Sequence, residues 1–218
     1  MFSVTVCTVE TPQVAVLSQV DYQGPKKKVG LLGGTFNPPH LGHLVMADQV
    51  LDQLDLDEVL LMPDNLPPHV DTKETIAAKQ RLEMVKLSVE GNSKLGVEDI
   101  ELKRGGVSYS YDTVKYLKQL HPENDYYFII GGDMVEYLPK WYRIDELVKM
   151  IQFVAVSREG FKRTSKYPLL WVDVPTIGVS SSLIRQKVAQ GCSIKYLVTD
   201  GVAQYIDKEG LYREWVNI

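Results

Sequence analysis

The sequence predicts an α/β protein built on a doubly wound parallel sheet, with a small helical part at its C-terminal end. Three observations predict it. Short apolar runs alternate with longer stretches whose apolar residues recur at helical spacing. The short runs are apolar at successive positions, as in strands covered on both faces. Two of them end directly in paired glycines, Gly33-Gly34 and Gly131-Gly132, where the backbone can turn tightly out of a strand.

Taken in order, residues 1–28 read as an extension ahead of the domain. They are mildly apolar, rich in Val and Thr, and closed by Gly24-Pro25 and the run Lys26-Lys27-Lys28. An added edge strand is one form this stretch could take, and the lysines read as a solvated junction. The domain proper, 29–218, opens with a strand over 29–32. A helix follows over 41–54, with Leu44, Val45, Ala47, Val50, Leu51 and Leu54 at helical spacing. Residues 58–62 form a strand stopped by Pro63. Residues 75–89 form a helix with Ile76, Leu82, Val85 and Val89 toward the core, and 94–100 a third strand. Next come a helix over 110–120, a strand over 126–130, a helix over 144–151, and strands over 153–156 and 169–172. The C-terminal part, from about Ser181, has helices over 181–189 and about 200–208, followed by Gly191 and Gly210 as stops. Ligands of such sheets bind beyond the carboxyl ends of the strands, where the strand order reverses. The loops 33–40 and 131–133 are therefore the places to look.

Composition narrows the function. With 24% charged and 44% hydrophobic residues the chain reads as an ordinary soluble protein. A net charge of -4 argues against nonspecific binding to nucleic acid or to an anionic membrane, while leaving room for a local phosphate pocket. Residues 1–23 lack a basic start and carry Glu10, unlike a secretory signal, and no apolar run is long enough to span a bilayer. Cys7 and Cys192 are far apart and in no metal-ligand spacing; a reduced cytoplasmic protein is the simpler reading, with a disulfide left open.

The most informative segment runs from Gly33 to His43, GGTFNPPHLGH. Pro38 and Pro39 stiffen the loop. His40 and His43 stand three apart at a helix start, so both rings can face one side, and Gly42 between them leaves space for a bulky group. Helix N-terminal amides with two imidazoles suit a polyphosphate. A second segment, Val179-Ser180-Ser181-Ser182-Leu183-Ile184-Arg185, is a helix start with serine caps, and Arg185 one turn in makes it a second anion site. In the third, Gly131-Gly132-Asp133-Met134, an acid at a strand end suits ribose hydroxyls or a helix cap. Pro139-Lys140-Trp141-Tyr142 and the helix opening Ser108-Tyr109-Ser110 read equally well as core aromatics with a cap, or as a flat-ring and carboxylate site.

The loop 33–43 resembles the T/HxGH signature of nucleotidyltransferases, and the chain from about residue 28 to about 212 is similar to bacterial nicotinate-nucleotide adenylyltransferases. The other segments resemble that family's ISSxxIR, GxD, SYTxDT and LPKWY patterns. The resemblance implies a Rossmann-like fold and transfer of AMP from ATP to nicotinic acid mononucleotide, with Mg²⁺ held mainly through the ATP phosphates. It implies that His40, His43 and Arg185 are catalytic. It implies that ATP is bound by those three with Gly33, Gly34, Thr35, Phe36, Gly131, Asp133, Ser180 and Ser181. Tyr109, Ser110, Trp141, Tyr142 and Asp64 would bind the nicotinate nucleotide. A homodimer is allowed. The chain departs from the pattern at Asn37 (usually Asp), Asp64 (usually Asn), Val70 (usually basic), Ser110 (usually Thr) and Val179 (usually Ile), with Lys73 a substitute for the missing base. Rival readings are the same transfer to nicotinamide mononucleotide or another phosphate acceptor, and a noncatalytic nucleotide sensor.

Overall fold

In the computed structural model, residues 24–68, 75–157 and 163–215 are described. Six strands form one sheet: β1 (Lys27–Gly34), β2 (Glu58–Pro63), β3 (Leu95–Val97), β4 (Asn124–Gly131), β5 (Gln152–Ser157) and β6 (Leu169–Asp173). Every pair is parallel and the order is β3-β2-β1-β4-β5-β6, so the winding reverses between β1 and β4. The helices are α1 (Leu41–Gln53), α2 (Ala78–Val89), α3 (Ile100–Arg104), α4 (Ser110–Leu120), α5 (Ile144–Met150), α6 (Ser181–Ala189) and α7 (Asp200–Lys208), with a 3₁₀ helix over Gly132–Lys140.

The two-residue period of the strands distributes the apolar side chains over two cores. Val29, Leu31, Tyr126, Phe128, Phe153 and Ala155 pack with Val114 and Leu117 of α4 and Leu147 of α5. Their sequence neighbours Leu32, Ile129, Val154 and Val156 turn the other way, against Ala47, Val50 and Leu51 of α1. Gly30 lies where no side chain fits: a Cβ there would stand 2.8 Å from Val59 Cγ2 and 3.1 Å from Ile129 Cδ1. A third cluster joins Met84 of α2 to Ile184, Val202, Ile206 and Tyr212, so the C-terminal helices share their core with the sheet-covering layer. Among the described residues no helix is long and apolar enough to cross a membrane.

Four expectations shift. β1 begins at Lys27, where Lys27 pairs with Glu58 at 2.8 Å and the Lys28 amide donates to Asp57 Oδ2 at 2.7 Å, so two of the three lysines belong to the sheet. The third strand ends at Val97, because Glu98 Oε1 accepts from the Ile100 amide at 3.0 Å and starts α3 there. α2 starts at Ala78; Ile76, expected on that helix, precedes it and packs on the C-terminal cluster. Its buried face is Arg81, Met84, Val85 and Ser88, rotated from the one the apolar spacing suggested. The 3₁₀ helix was legible only as a cap at Asp133. Gly191 and Gly210 do take positive φ, 68° and 63°, after α6 and α7.

Ile184 is fully buried between α2, α6 and α7. Ile184→Ala should cost about 2–5 kcal/mol and lower the urea midpoint of the whole chain in one transition. A separate early transition would mean that the C-terminal helices fold apart from the sheet.

Candidate functional site

The site lies beyond the carboxyl ends of β1 and β4, the neighbours at which the winding reverses. After Gly34 the chain turns through Phe36 (φ 49°), a cis Asn37–Pro38 bond and the N-cap His40 into α1. The His40 amide donates to His43 Nδ1 at 3.1 Å, and the two rings stack at 3.7 Å with 23° between planes. The buried Phe36 ring meets His43 edge-on at 5.0 Å. Since Nδ1 accepts, the neutral ring of His43 carries its proton on Nε2. Burial, then the neighbouring His40, hold the His43 pKa well below the ordinary value. At neutral pH His43 is therefore an uncharged donor in a fixed tautomer.

Two details differ from the sequence reading of this loop. Gly42 lines the second lobe, but the room it keeps is narrow: a Cβ there would lie 3.1 Å from His40 Nδ1 and 3.2 Å from Val179 Cγ1. The first helical amide, of Leu41, donates to Leu197 O at 2.9 Å, so the anion-binding end of α1 is narrower than a bare helix start.

The cleft has two lobes that meet at His43, Met46 and Gly131. The first, about 380 Å³, is lined by Gly33, Gly34, Thr35, Asp64, Tyr109, Ser110, Trp141 and Tyr142. The second, about 330 Å³, is lined by His40, Asp133 and Ser180 with apolar residues beyond β5 and β6. Each is the size of an ordinary small-ligand pocket. Of the expected residues, Phe36, Ser181 and Arg185 line neither lobe. Ser181 Oγ donates to Pro38 O at 2.7 Å. Arg185 Nη1 donates to Asn37 O at 2.7 Å, with its guanidinium 4.7 Å from the Trp215 ring. Both side chains hold the loop from behind. Ser180 caps α6, accepting from the Leu183 amide at 3.2 Å.

In the first lobe no side chain among the described residues caps α4, whose N-cap is Tyr109. Trp141 packs edge-on against Phe128 and Phe153 at 5.7 and 5.9 Å, and Tyr142 lies 4.8 Å from Tyr109. Asp64 lines the lobe, yet its carboxylate is already engaged, accepting from Thr35 Oγ1 at 2.8 Å and Arg81 Nη1 at 3.2 Å. Burial pushes its pKa up, against the pull of Thr35 and Arg81. His69, Val70 and Lys73 lie outside the described residues.

Sequence reasoning missed Arg81 and Glu101. Arg81 is 2% exposed and reaches the backbone carbonyls of Thr35, Asp64 and Asn65 besides the Asp64 carboxylate. Its signal was a charged residue at helical spacing with Met84, Val85 and Ser88. Glu101, also buried, accepts from Thr113 Oγ1 at 2.8 Å and is hydrogen-bonded to Ser108. The Ser108 hydroxyl takes the Asn65 amide at 2.9 Å, tying the loop after β2 to the one before α4. Burial raises the Glu101 pKa, with Thr113 and Ser108 opposing it. Nothing in the local sequence marks this carboxylate, because its partners come from the loop before α4 and from α4 itself.

Comparison with known proteins gives a consistent picture. A family model described as Cytidylyltransferase-like matches residues 31–187. A relative from Enterococcus faecalis, named a probable nicotinate-nucleotide adenylyltransferase, is 59% identical over 189 residues, 87% of this chain and 86% of its own. One of the same name from Lactiplantibacillus plantarum is 54% identical over 207 residues, 95% of this chain and 98% of its own. A solved structure of Plasmodium falciparum nicotinic acid mononucleotide adenylyltransferase complexed with NaAD shares the fold. Its TM-score is 0.72 at 22% identity, covering 86% of this chain and 98% of that one.

A histidine whose pKa is depressed on folding disfavours the folded state once pH falls below its unfolded value of about 6.5. His43 should thus contribute a loss of stability below that pH and none above it. His43→Gln should flatten the fall in urea midpoint between pH 7.5 and 5.5. An unchanged slope would assign the fall to other groups.

Proposed function

We infer the reaction from one premise: the chain belongs to the nicotinate-nucleotide adenylyltransferase family. It transfers the adenylyl group of ATP to nicotinic acid mononucleotide, giving nicotinic acid adenine dinucleotide and pyrophosphate. The observation that carries this reading is the two-lobed cleft with His43 at its junction. A dinucleotide product needs two nucleotide sites whose phosphates meet at one point.

In this reading the second lobe takes ATP. Asp133, at the end of β4, offers its carboxylate to ribose hydroxyls. The triphosphate runs past His40 and His43 toward Ser180 at the start of α6. Arg185 and Ser181 act from behind the loop; Arg185 adds positive charge there. The first lobe takes the nicotinate nucleotide, its ring among Trp141, Tyr142 and Tyr109. The uncapped start of α4 at Ser110 suits the ring carboxylate. Asp64, bound to Thr35 and Arg81, shapes this lobe's wall more than it offers a ligand.

The acceptor phosphate is already ionised at neutral pH, so attack on the α-phosphorus needs no strong base. What the site must supply is alignment and charge stabilisation. A neutral His43 with its proton on Nε2 can donate to a phosphoryl oxygen as negative charge builds there, without first losing a proton. The side-chain nitrogens lining this point are the imidazoles of His40 and His43, which suit phosphate oxygens and not a hard cation. Mg²⁺ fits as a companion of the ATP, held by phosphate oxygens and water, where it offsets the charge of the triphosphate. We assign the chain to the cytoplasm, which supplies ATP, and begin the catalytic domain with β1 at Lys27 rather than after residue 28.

The direct test is pyrophosphate release with ATP and Mg²⁺, with nicotinic acid mononucleotide and nicotinamide mononucleotide compared side by side. Preference for the acid is expected. Equal use would discard the carboxylate site at α4, and release with neither would favour another acceptor or a nucleotide sensor. His43→Ala should lower turnover by at least ~100-fold, and a wild-type rate would remove His43 from the chemistry. Trp141→Ala should raise the acceptor KM by about 10-fold, the loss of one ring contact, while leaving the ATP KM close to wild type.

A further inference from the structure

We propose that Arg81 is a positioning residue that fixes the loop after β1 and the loop after β2, both of which border the cleft, in one relative placement. The proposal rests on the reaction assigned above. Arg81 sits on the buried face of α2 and is 2% exposed. Nη1 donates to Thr35 O at 2.8 Å, in the loop after β1, and to Asp64 Oδ1 at 3.2 Å. Nη2 donates to Asp64 O at 2.8 Å and to Asn65 O at 3.4 Å, in the loop after β2. Thr35 Oγ1 closes the link by donating to Asp64 Oδ2 at 2.8 Å.

One planar guanidinium thus spans the two loops that floor the cleft. Its two Nη atoms are about 2.3 Å apart by covalent geometry, and the group cannot lose its proton to relax. A shift of either loop pulls donors away from the other. Backbone ladder bonding alone would not do this, since Asp64 N→Gly34 O at 3.0 Å is the single backbone bond joining the stretches 34–40 and 64–68. The Asp64 carboxylate supplies the counter-charge that a buried guanidinium requires. A Lys at this position would keep the charge and lose the fork. In-line transfer depends on sub-ångström alignment of two phosphates in the lobes that these loops border, so the effect should fall on the chemical step.

The experiment is Arg81→Lys, studied at a temperature where its circular dichroism and urea unfolding establish that it is folded. We expect kcat to fall by at least about 10-fold with each KM moving less than about 3-fold, the pattern of lost alignment and not of lost binding. A stability role alone would leave kcat per folded molecule unchanged, and that result overturns the proposal. Thr35→Val, which cuts only the Thr35–Asp64 arm, should act in the same direction and more weakly; it serves if Arg81→Lys does not fold. A second readout needs no turnover. Adding a non-hydrolysable ATP analogue should slow amide exchange in both loops of the wild type, and only in the 34–43 loop of either variant. Exchange in 64–68 that is unaffected in the wild type, or still slowed in the variants, also overturns it. Wild-type protein that releases no pyrophosphate with any acceptor would instead sink the reaction, leaving the exchange result to judge the link.

Discussion

Backbone carbonyls without a ladder partner must find a donor, and at the loop after β1 that requirement organises the site. This segment holds a positive-φ phenylalanine and two prolines, so it cannot pair as a strand or begin a helix before Leu41. Its carbonyls are taken by side chains instead: Thr35 O by Arg81, Asn37 O by Arg185, Pro38 O by Ser181. Tyr212 adds a bond to Asn37 Oδ1 at 2.7 Å. With the loop held from behind, the stacked histidines are presented in one arrangement.

The same bonds suit a neutral side chain at Asn37. Tyr212 donates its proton to the Asn37 side-chain oxygen in a buried setting, and burial pushes the Tyr212 pKa far up. A neutral amide oxygen meets this need without a buried charge. In the first lobe, by contrast, two carboxylates are retained, Asp64 and Glu101, each with its pKa raised by burial. Both are surrounded by donors from the protein, so they act on the walls of the lobe.

Much of the architecture was legible in the sequence because strands buried on both faces leave an unbroken apolar run and the glycine pairs mark their ends. The loops after β1 and β4 followed from that rhythm. The residues gathered there were legible from segments whose composition is unusual for a loop, such as two histidines framed by Gly and Pro. Arg81 and Glu101 were not. Each is a charged residue in an ordinary helix, and only the arrival of Asp64, Thr35, Ser108 and Thr113 from other elements gives it a task. The roles of Ser181 and Arg185 were blurred for a related reason: a hydroxyl and a guanidinium at a helix start suit an anion and a carbonyl equally well, and sequence does not say which stands opposite.

The bonds from Ser181, Arg185 and Tyr212 to the histidine loop span 143, 148 and 175 residues of chain. At about 5–20 residues per second on the ribosome, the loop waits on the order of ten seconds for the side chains that hold it. The sheet strands β1 and β2 can pair long before then, and Arg81 of α2 can take Thr35 O, but Asn37 O and Pro38 O lack their side-chain donors until α6 emerges. A nascent chain would therefore own a nearly complete scaffold while lacking a nucleotide pocket. The histidine loop thus takes its final form only after contacts made more than a hundred residues downstream.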